Sequence, residues 1–303
     1  MRAAGWALGL GGLLWVAAAD VATAQFAAPS AMVRTTPEPP ARGSVVWLRV
    51  EDDPSRNDQD RLTAVDGEAE GEPLHFEPTD RGYVALLGIG VEGGDTVPVA
   101  LHLTRTGRVD SMLVSLAVRH PSYHRERITV PPRMVQYDSA TKARIESEGA
   151  RAREVSRRAH QTPRLWSHPI RLPRSSRVTS PYGRAREYNG QVTSRHTGTD
   201  FAGAVGTPVV AAARGVVALV ADFYLAGRAV YLDHGAGLVT AYFHLSRVDV
   251  AQGDTVKAGQ RIGGVGQSGR VTGPHLHWVL RYGAISVDPM SLVRLGREEG
   301  GGG

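Results

Sequence analysis

The residues best equipped for chemistry fall in three short motifs: His196-Thr197-Gly198-Thr199-Asp200, Tyr242-Phe243-His244-Leu245-Ser246 and Gly273-Pro274-His275-Leu276-His277-Trp278. The 303-residue chain has no cysteine, so a disulfide framework is excluded and a metal site must be built from His, Asp and Glu. A catalytic zinc takes three such ligands and leaves a further position for water, whose pKa it lowers to about 7. An imidazole beside the metal can move protons or stabilise an oxyanion, because its own pKa lies near neutrality.

The spacing within the motifs sets conditions on the backbone. On a strand, His275 and His277 point to one face about 6.5 Å apart, and Leu276 points to the other. Thr-Gly-Thr is a poor helix sequence. A straight strand would hold His196 and Asp200 about 13 Å apart, so a shared metal requires a turn or bulge at Gly198. On these grounds His196, Asp200 and one of His275 and His277 would supply three ligands. His244 and the other member of the pair would remain for catalysis, and spacing leaves open which member is which.

The elements that must hold these motifs read as mostly β. Gly is frequent at 36 residues, and strand candidates run over Pro208–Ala211, Gly215–Ala221, Arg228–Asp233, Leu238–His244 and His275–Arg281. No βαβ alternation appears, which argues against a parallel α/β fold. An earlier block carries strand candidates over Ser44–Val50, Tyr83–Ile89, Thr96–Thr104 and Val109–Val118. Asp66-Gly67, Gly93-Gly94-Asp95 and Thr106-Gly107 read as turns, and the spacing suggests a small immunoglobulin-like β-sandwich. Its His75, His102, His120 and His124 are scattered and read as surface or turn histidines. Residues 137–160 read as a largely exposed helix with Asp138 or Ser139 as N-cap and a weak stripe of Ile145, Ala152 and Val155. Between Val130 and Arg177 lie 11 basic and four acidic residues, a solvated face or a cell-wall contact.

The ends have their own signatures. Arg2, the apolar run Trp6–Ala19 and Ala22-Thr23-Ala24 before Gln25 read as a cleaved export signal, too short for a membrane span. The expected organisation is signal peptide 1–24, linker 25–43, immunoglobulin-like domain 44–132, helical linker 133–165, catalytic domain 166–295 and disordered tail 296–303. The formal net charge is +5, with no aromatic-interleaved basic motif, so nucleic acid is not an expected partner.

From about Arg177 to Val293 the chain resembles peptidase family M23, the lysostaphin-type endopeptidases. The resemblance rests on Thr179-Ser180-Pro181-Tyr182-Gly183, the three histidine motifs, Gly206-Thr207-Pro208-Val209, Asp233-His234-Gly235, Gly253-Asp254-Thr255-Val256, Gly266-Gln267-Ser268-Gly269-Arg270 and Asp288-Pro289. It implies an antiparallel β-sheet catalytic domain (duplicated hybrid motif-like) and one zinc ion. It also implies His196, Asp200 and His277 as metal ligands and His244 and His275 as catalytic residues. Tyr188 is implied by looser similarity as an oxyanion-stabilising residue, and His234 as structural. The implied activity is zinc-dependent hydrolysis of peptide bonds in peptidoglycan stems or cross-bridges by an exported protein, periplasmic or extracellular and associated with the cell wall, with no stable membrane insertion after signal cleavage. The N-terminal region is a candidate intramolecular inhibitor, and Asn189 a candidate plug of the metal site. Rival readings are a non-catalytic wall-binding or amidase-activating protein and a peptidase acting on a secreted protein.

Overall fold

The computed structural model describes residues 31–53, 55–57, 60–131, 135–167, 170–190 and 192–300. The expected export signal and residues 25–30 lie outside them, as do residues 301–303.

The N-terminal half forms two four-stranded antiparallel sheets. One has the spatial order Met32–Thr36, Val45–Glu51, Gly82–Gly88, Glu77–Thr79, and the other Glu72–Leu74, Leu62–Ala69, Thr96–Arg105, Arg108–Ala117. Period-two patterning drives this: along Thr96–Arg105, Val97, Val99, Leu101 and Leu103 are buried and share a core with Val46, Leu48 and Val50. Residues 25–43 are not all linker, because the β-branched run Met32–Thr36 pairs as an edge strand with Val45–Glu51. Asp66-Gly67 is not a turn either. Gly67 lies within Leu62–Ala69, where a Cβ would come 2.5 Å from the Ala100 carbonyl oxygen, so the glycine permits close strand contact. The reversal falls at Glu70-Gly71, whose φ values of 55° and 76° suit a tight hairpin.

Helix α1 spans Ser139–Arg158, with the Asp138 side chain accepting the Thr141 N–H at 2.7 Å as its N-cap. It is docked rather than free: Ala152 and, just past its end, Ala159 share an apolar cluster with Leu219, Tyr231, Ala241 and Val279 of the large sheet. The sequence stripe looked weak because small residues make this contact, which brings the backbone close without a large apolar side chain.

The large sheet has the spatial order Val178–Ser180, Thr199–Ala202, His275–Tyr282, Leu238–Leu245, Gly227–Gly235, Gly215–Phe223, Thr255–Val256, and Ile285–Val287 also pairs with His275–Tyr282. Every pairing in it is antiparallel. Along His275–Tyr282, Leu276, Trp278 and Leu280 are fully buried in the main core, which leaves His275 and His277 on the opposite face. A hairpin of Ala185–Tyr188 and Val192–Arg195 stands beside the sheet, and Arg125–Ile128 extends it by parallel pairing.

The two halves are in direct contact. Trp47 stacks on Trp166 at 6.1 Å, and the Tyr282 hydroxyl donates to the Pro73 carbonyl at 2.7 Å. At the C-terminus, helix α2 covers Pro289–Gly300, so the segment expected as a disordered tail is helical through Gly300. Leu292 and Leu295 anchor this helix in the main core.

Candidate active site

Asp200 and His277 are direct cross-strand partners in the pairing of Thr199–Ala202 with His275–Tyr282, and Ala202 is the partner of His275. Cross-strand partners share a face. Asp200 Oδ1 therefore lies 2.7 Å from His277 Nδ1. His196 arrives from outside the sheet. The strand Val192–Arg195 ends, the chain bends at Gly198, and His196 Nε2 comes to 3.0 Å from both Asp200 Oδ1 and His277 Nδ1. The bend required by the spacing is thus present. It also needs a glycine, since a Cβ on Gly198 would lie 2.5 Å from the Trp278 carbonyl oxygen and 2.7 Å from His277 Nε2.

His244 reaches the same face by a different device. Phe243 is the cross-strand partner of His277 and stacks on its ring, with centroids 5.4 Å apart. Regular alternation would send the next residue to the opposite face. His244 instead has φ 61°, beside an irregularity in the pairing with Gly227–Gly235, and its ring lies 4.9 Å from that of His275. A non-glycine residue held in the left-handed region stores backbone strain of about 1–3 kcal/mol, a cost typical of functional positions. The Ala226 carbonyl accepts the His244 N–H at 2.9 Å and helps hold it there.

The partners of each ring decide its tautomer. His196 Nδ1 faces the Pro181 carbonyl oxygen at 2.8 Å, His244 Nδ1 the Ser268 carbonyl at 2.9 Å and His275 Nδ1 the Gly273 carbonyl at 2.9 Å. A carbonyl only accepts, so each of these Nδ1 atoms carries a proton, and the neutral rings of His244 and His275 offer a lone pair at Nε2. Burial raises the Asp200 carboxyl, but hydrogen bonds from His196 and His277 outweigh it and hold the group well below the usual carboxylate range. Burial, with repulsion from His277 and His275, pushes His244 down to about 3. His277 is also lowered, chiefly by burial, against the pull of Asp200.

One imidazole Nε2, one imidazole Nδ1 and one carboxylate oxygen thus converge, 2.7–3.0 Å apart. A tetrahedral zinc with bonds of about 2.0–2.1 Å places its ligands roughly 3.3 Å apart, a few tenths of an ångström wider. The donor set, its burial and the Nδ1–H of His196 fixed on a carbonyl fit such an ion. Among the described residues His196, Asp200 and His277 are the one group with metal-ligand geometry.

The site opens into a groove of about 730 Å³, lined by all five residues and by Tyr188, Arg186, Arg270 and the loop Val271–Pro274. Tyr188 is largely buried on the hairpin wall, with the Arg270 guanidinium 5.1 Å above its ring. Ile128 and Val130, from the N-terminal half, complete that wall. Asn189 does not plug the metal site. Its carboxamide is engaged with Val130, donating to the carbonyl at 2.9 Å and accepting the N–H at 3.0 Å. His234 is fully buried between the Arg214 carbonyl and the Thr240 hydroxyl.

Some contributors were not singled out from sequence. The carbonyls of Pro181, Ser268 and Gly273 carry no residue-type signal, since any residue supplies one. Arg186, whose Nη2 lies 3.2 Å from Asp200 Oδ2, sits among many arginines. Only its placement two residues before Tyr188 on one strand could have marked it as groove-facing.

A candidate ligand triad at the face of an antiparallel sheet, with two further imidazoles beside it, has the outline of a mononuclear metal centre. Residues 194–289 match the model of peptidase family M23, so this segment reads as an M23 peptidase domain. It is 49% identical over 85 residues to the peptidoglycan DD-endopeptidase ShyA of Vibrio cholerae, covering 28% of this chain and 20% of that protein. It is 41% identical over 118 residues to the DD-carboxypeptidase/endopeptidase Mpg of Neisseria meningitidis, covering 39% of this chain and 27% of that one. The matched segment thus spans about a quarter of the length of these curated relatives. A Pseudomonas aeruginosa crystal structure assigned to peptidase M23 matches with a TM-score of 0.62 and 27% identity, over 84% of this chain and 96% of that one.

Proposed function

We propose that this protein is an exported zinc endopeptidase that hydrolyses peptide bonds in the stem peptides or cross-bridges of peptidoglycan. The observation that carries the reading is the convergence of His196, Asp200 and His277 beside the lone-pair nitrogens of His244 and His275 in one groove. The relatives named for peptidoglycan endopeptidase activity support the substrate class. The export-signal pattern of residues 1–24 supports a destination where that substrate is found.

When bound, zinc acidifies a water and polarises the scissile carbonyl. His196, Asp200 and His277 would hold the ion. His244 and His275 each offer Nε2 toward the groove, with Nδ1–H fixed on a carbonyl. Either can take a proton from the attacking water or steady the developing oxyanion, and the pair shares these tasks. Tyr188 is proposed as a further oxyanion contact from the hairpin wall. The domain division follows the same reading: an N-terminal β unit, the linking helix, and the peptidase unit from residue 166. Because Ile128 and Val130 belong to the groove wall, the N-terminal region has a direct route to restrain substrate entry.

The test is digestion of cross-linked muropeptide dimers with product identification by mass spectrometry. Products split within the peptide part are expected. Wall binding with no split product favours the non-catalytic rival. Cleavage of secreted proteins without muropeptide release favours the third reading.

A further inference from the structure

Asp200 uses its two oxygens differently. Oδ1 faces inward, 2.7 Å from His277 Nδ1, 3.0 Å from His196 Nε2 and 3.8 Å from His275 Nε2. Oδ2 faces outward, 3.2 Å from Nη2 of Arg186. The same Nη2 donates to Ser180 Oγ at 3.1 Å, and that hydroxyl lies 3.3 Å from His196 Nδ1. One guanidinium nitrogen therefore touches one ligand directly and reaches a second through Ser180.

A carboxylate can bind a metal through one oxygen or through both. Binding through both would take up a position that a hydrolytic site must leave for water and substrate. We propose that Arg186 is a positioning residue that engages Oδ2, keeps Asp200 a one-oxygen ligand, and so preserves the open position. The inference rests on the reading of His196, Asp200 and His277 as a metal centre.

Three features suit Arg186 to this task. Its backbone is fixed on both sides, by antiparallel pairing with Ser194 and parallel pairing with Glu126. Its side chain is 20% exposed and that of Asp200 8%, so water screens the contact weakly. An arginine also stays charged at every working pH, and the two hydrogens on Nη2 can serve Asp200 and Ser180 together from a planar, rigid head group. A lysine offers the charge on a more flexible stem.

An arginine that merely stabilised the fold would alter the melting temperature and leave coordination unchanged. The experiment therefore compares Arg186→Met and Arg186→Lys with the wild type after substitution with cobalt(II), whose visible absorption is intense when four-coordinate and weaker when a fifth ligand atom binds. The wild type is expected to give the intense spectrum. Arg186→Met is expected to give the weak one with cobalt affinity retained, and a kcat about 10–100-fold lower when loaded with zinc. Arg186→Lys is expected to recover part of the intensity and part of the rate. Wild-type spectrum and kcat in Arg186→Met overturn the proposal while the metal-site reading stands. Wild-type protein that binds no cobalt, or His277→Ala that binds it equally well, overturns that reading and the proposal with it.

Discussion

Asp200 and His277 sit opposite one another on neighbouring antiparallel strands, and this register brings Oδ1 and Nδ1 to 2.7 Å. Two of the three candidate ligands are therefore placed by sheet pairing itself, on strands whose other faces carry Phe201 and Trp278 into the core. The third, His196, depends on one bend.

The two histidines of the His-x-His motif are expected to separate by substitution. His277→Ala should lose both zinc and activity. His275→Ala should keep about one zinc per chain and lose roughly 10²–10⁴-fold in rate, the usual contribution of a positioned acid or base. Metal analysis beside a turnover assay reads both. A folded His275→Ala protein without zinc would reverse the role assignment.

The bend makes a sharper demand. Gly198→Ala puts a methyl group against the Trp278 carbonyl and the His277 ring, both in the packed sheet. Relief requires movement of the strand that carries the ligand. The expected result is a loss of about 1–3 kcal/mol of stability, the usual range for overpacking, together with weakened zinc binding. Thermal unfolding and zinc titration measure the two effects, and wild-type values in both would remove Gly198 from the account.

Asn189→Ala tests the engagement of that side chain with Val130. The variant should lose about 1–3 kcal/mol of stability, the net worth of two ordinary hydrogen bonds. It should leave the metal site no more accessible to a chelator than in the wild type. Faster zinc removal from the variant would return Asn189 to the role of plug.

A pH dependence follows from a buried chain between the two halves. Glu72 Oε2 lies 2.9 Å from His160 Nε2, and His160 Nδ1 lies 2.8 Å from His75 Nε2. Burial lowers both histidines from the ordinary 6.5, with repulsion from His160 adding to the effect on His75. Glu72 and Asp233 oppose it at His160, whose ring also meets that of Tyr282. Groups with depressed pKa hold fewer protons folded than unfolded, so stability is fully present above about pH 6.5 and declines as pH falls below it. The unfolding temperature should drop as pH falls below about 6.5, and His75→Gln should flatten the drop. An identical slope in the variant would show that the chain does not couple to folding.

What could be read in advance divides along physical lines. Period-two patterning exposed the strands that bury one face, such as Thr96–Arg105 and His275–Tyr282, and the ligand arithmetic required the bend at Gly198. Glu72–Leu74 and Glu77–Thr79 went unread because three residues are too few to display a period. The docking of α1 was hidden because Ala152 and Ala159 make the contact and their size leaves little pattern. The orientation of His244 was equally hidden. Strand alternation sends it away from His277, and only the left-handed backbone at that residue turns it back. The fixed tautomers depend on backbone carbonyls, which the sequence does not distinguish.

On the proposed function, zinc held by His196, Asp200 and His277 drives peptide hydrolysis in peptidoglycan. The most direct test strips the purified protein of metal, restores one equivalent of zinc, and follows release of split peptides from purified peptidoglycan at each stage. Activity should vanish on stripping and return with the first equivalent in the wild type, and should not return in His277→Ala. Release that persists in the stripped protein, or that zinc restores equally in His277→Ala, would contradict the account.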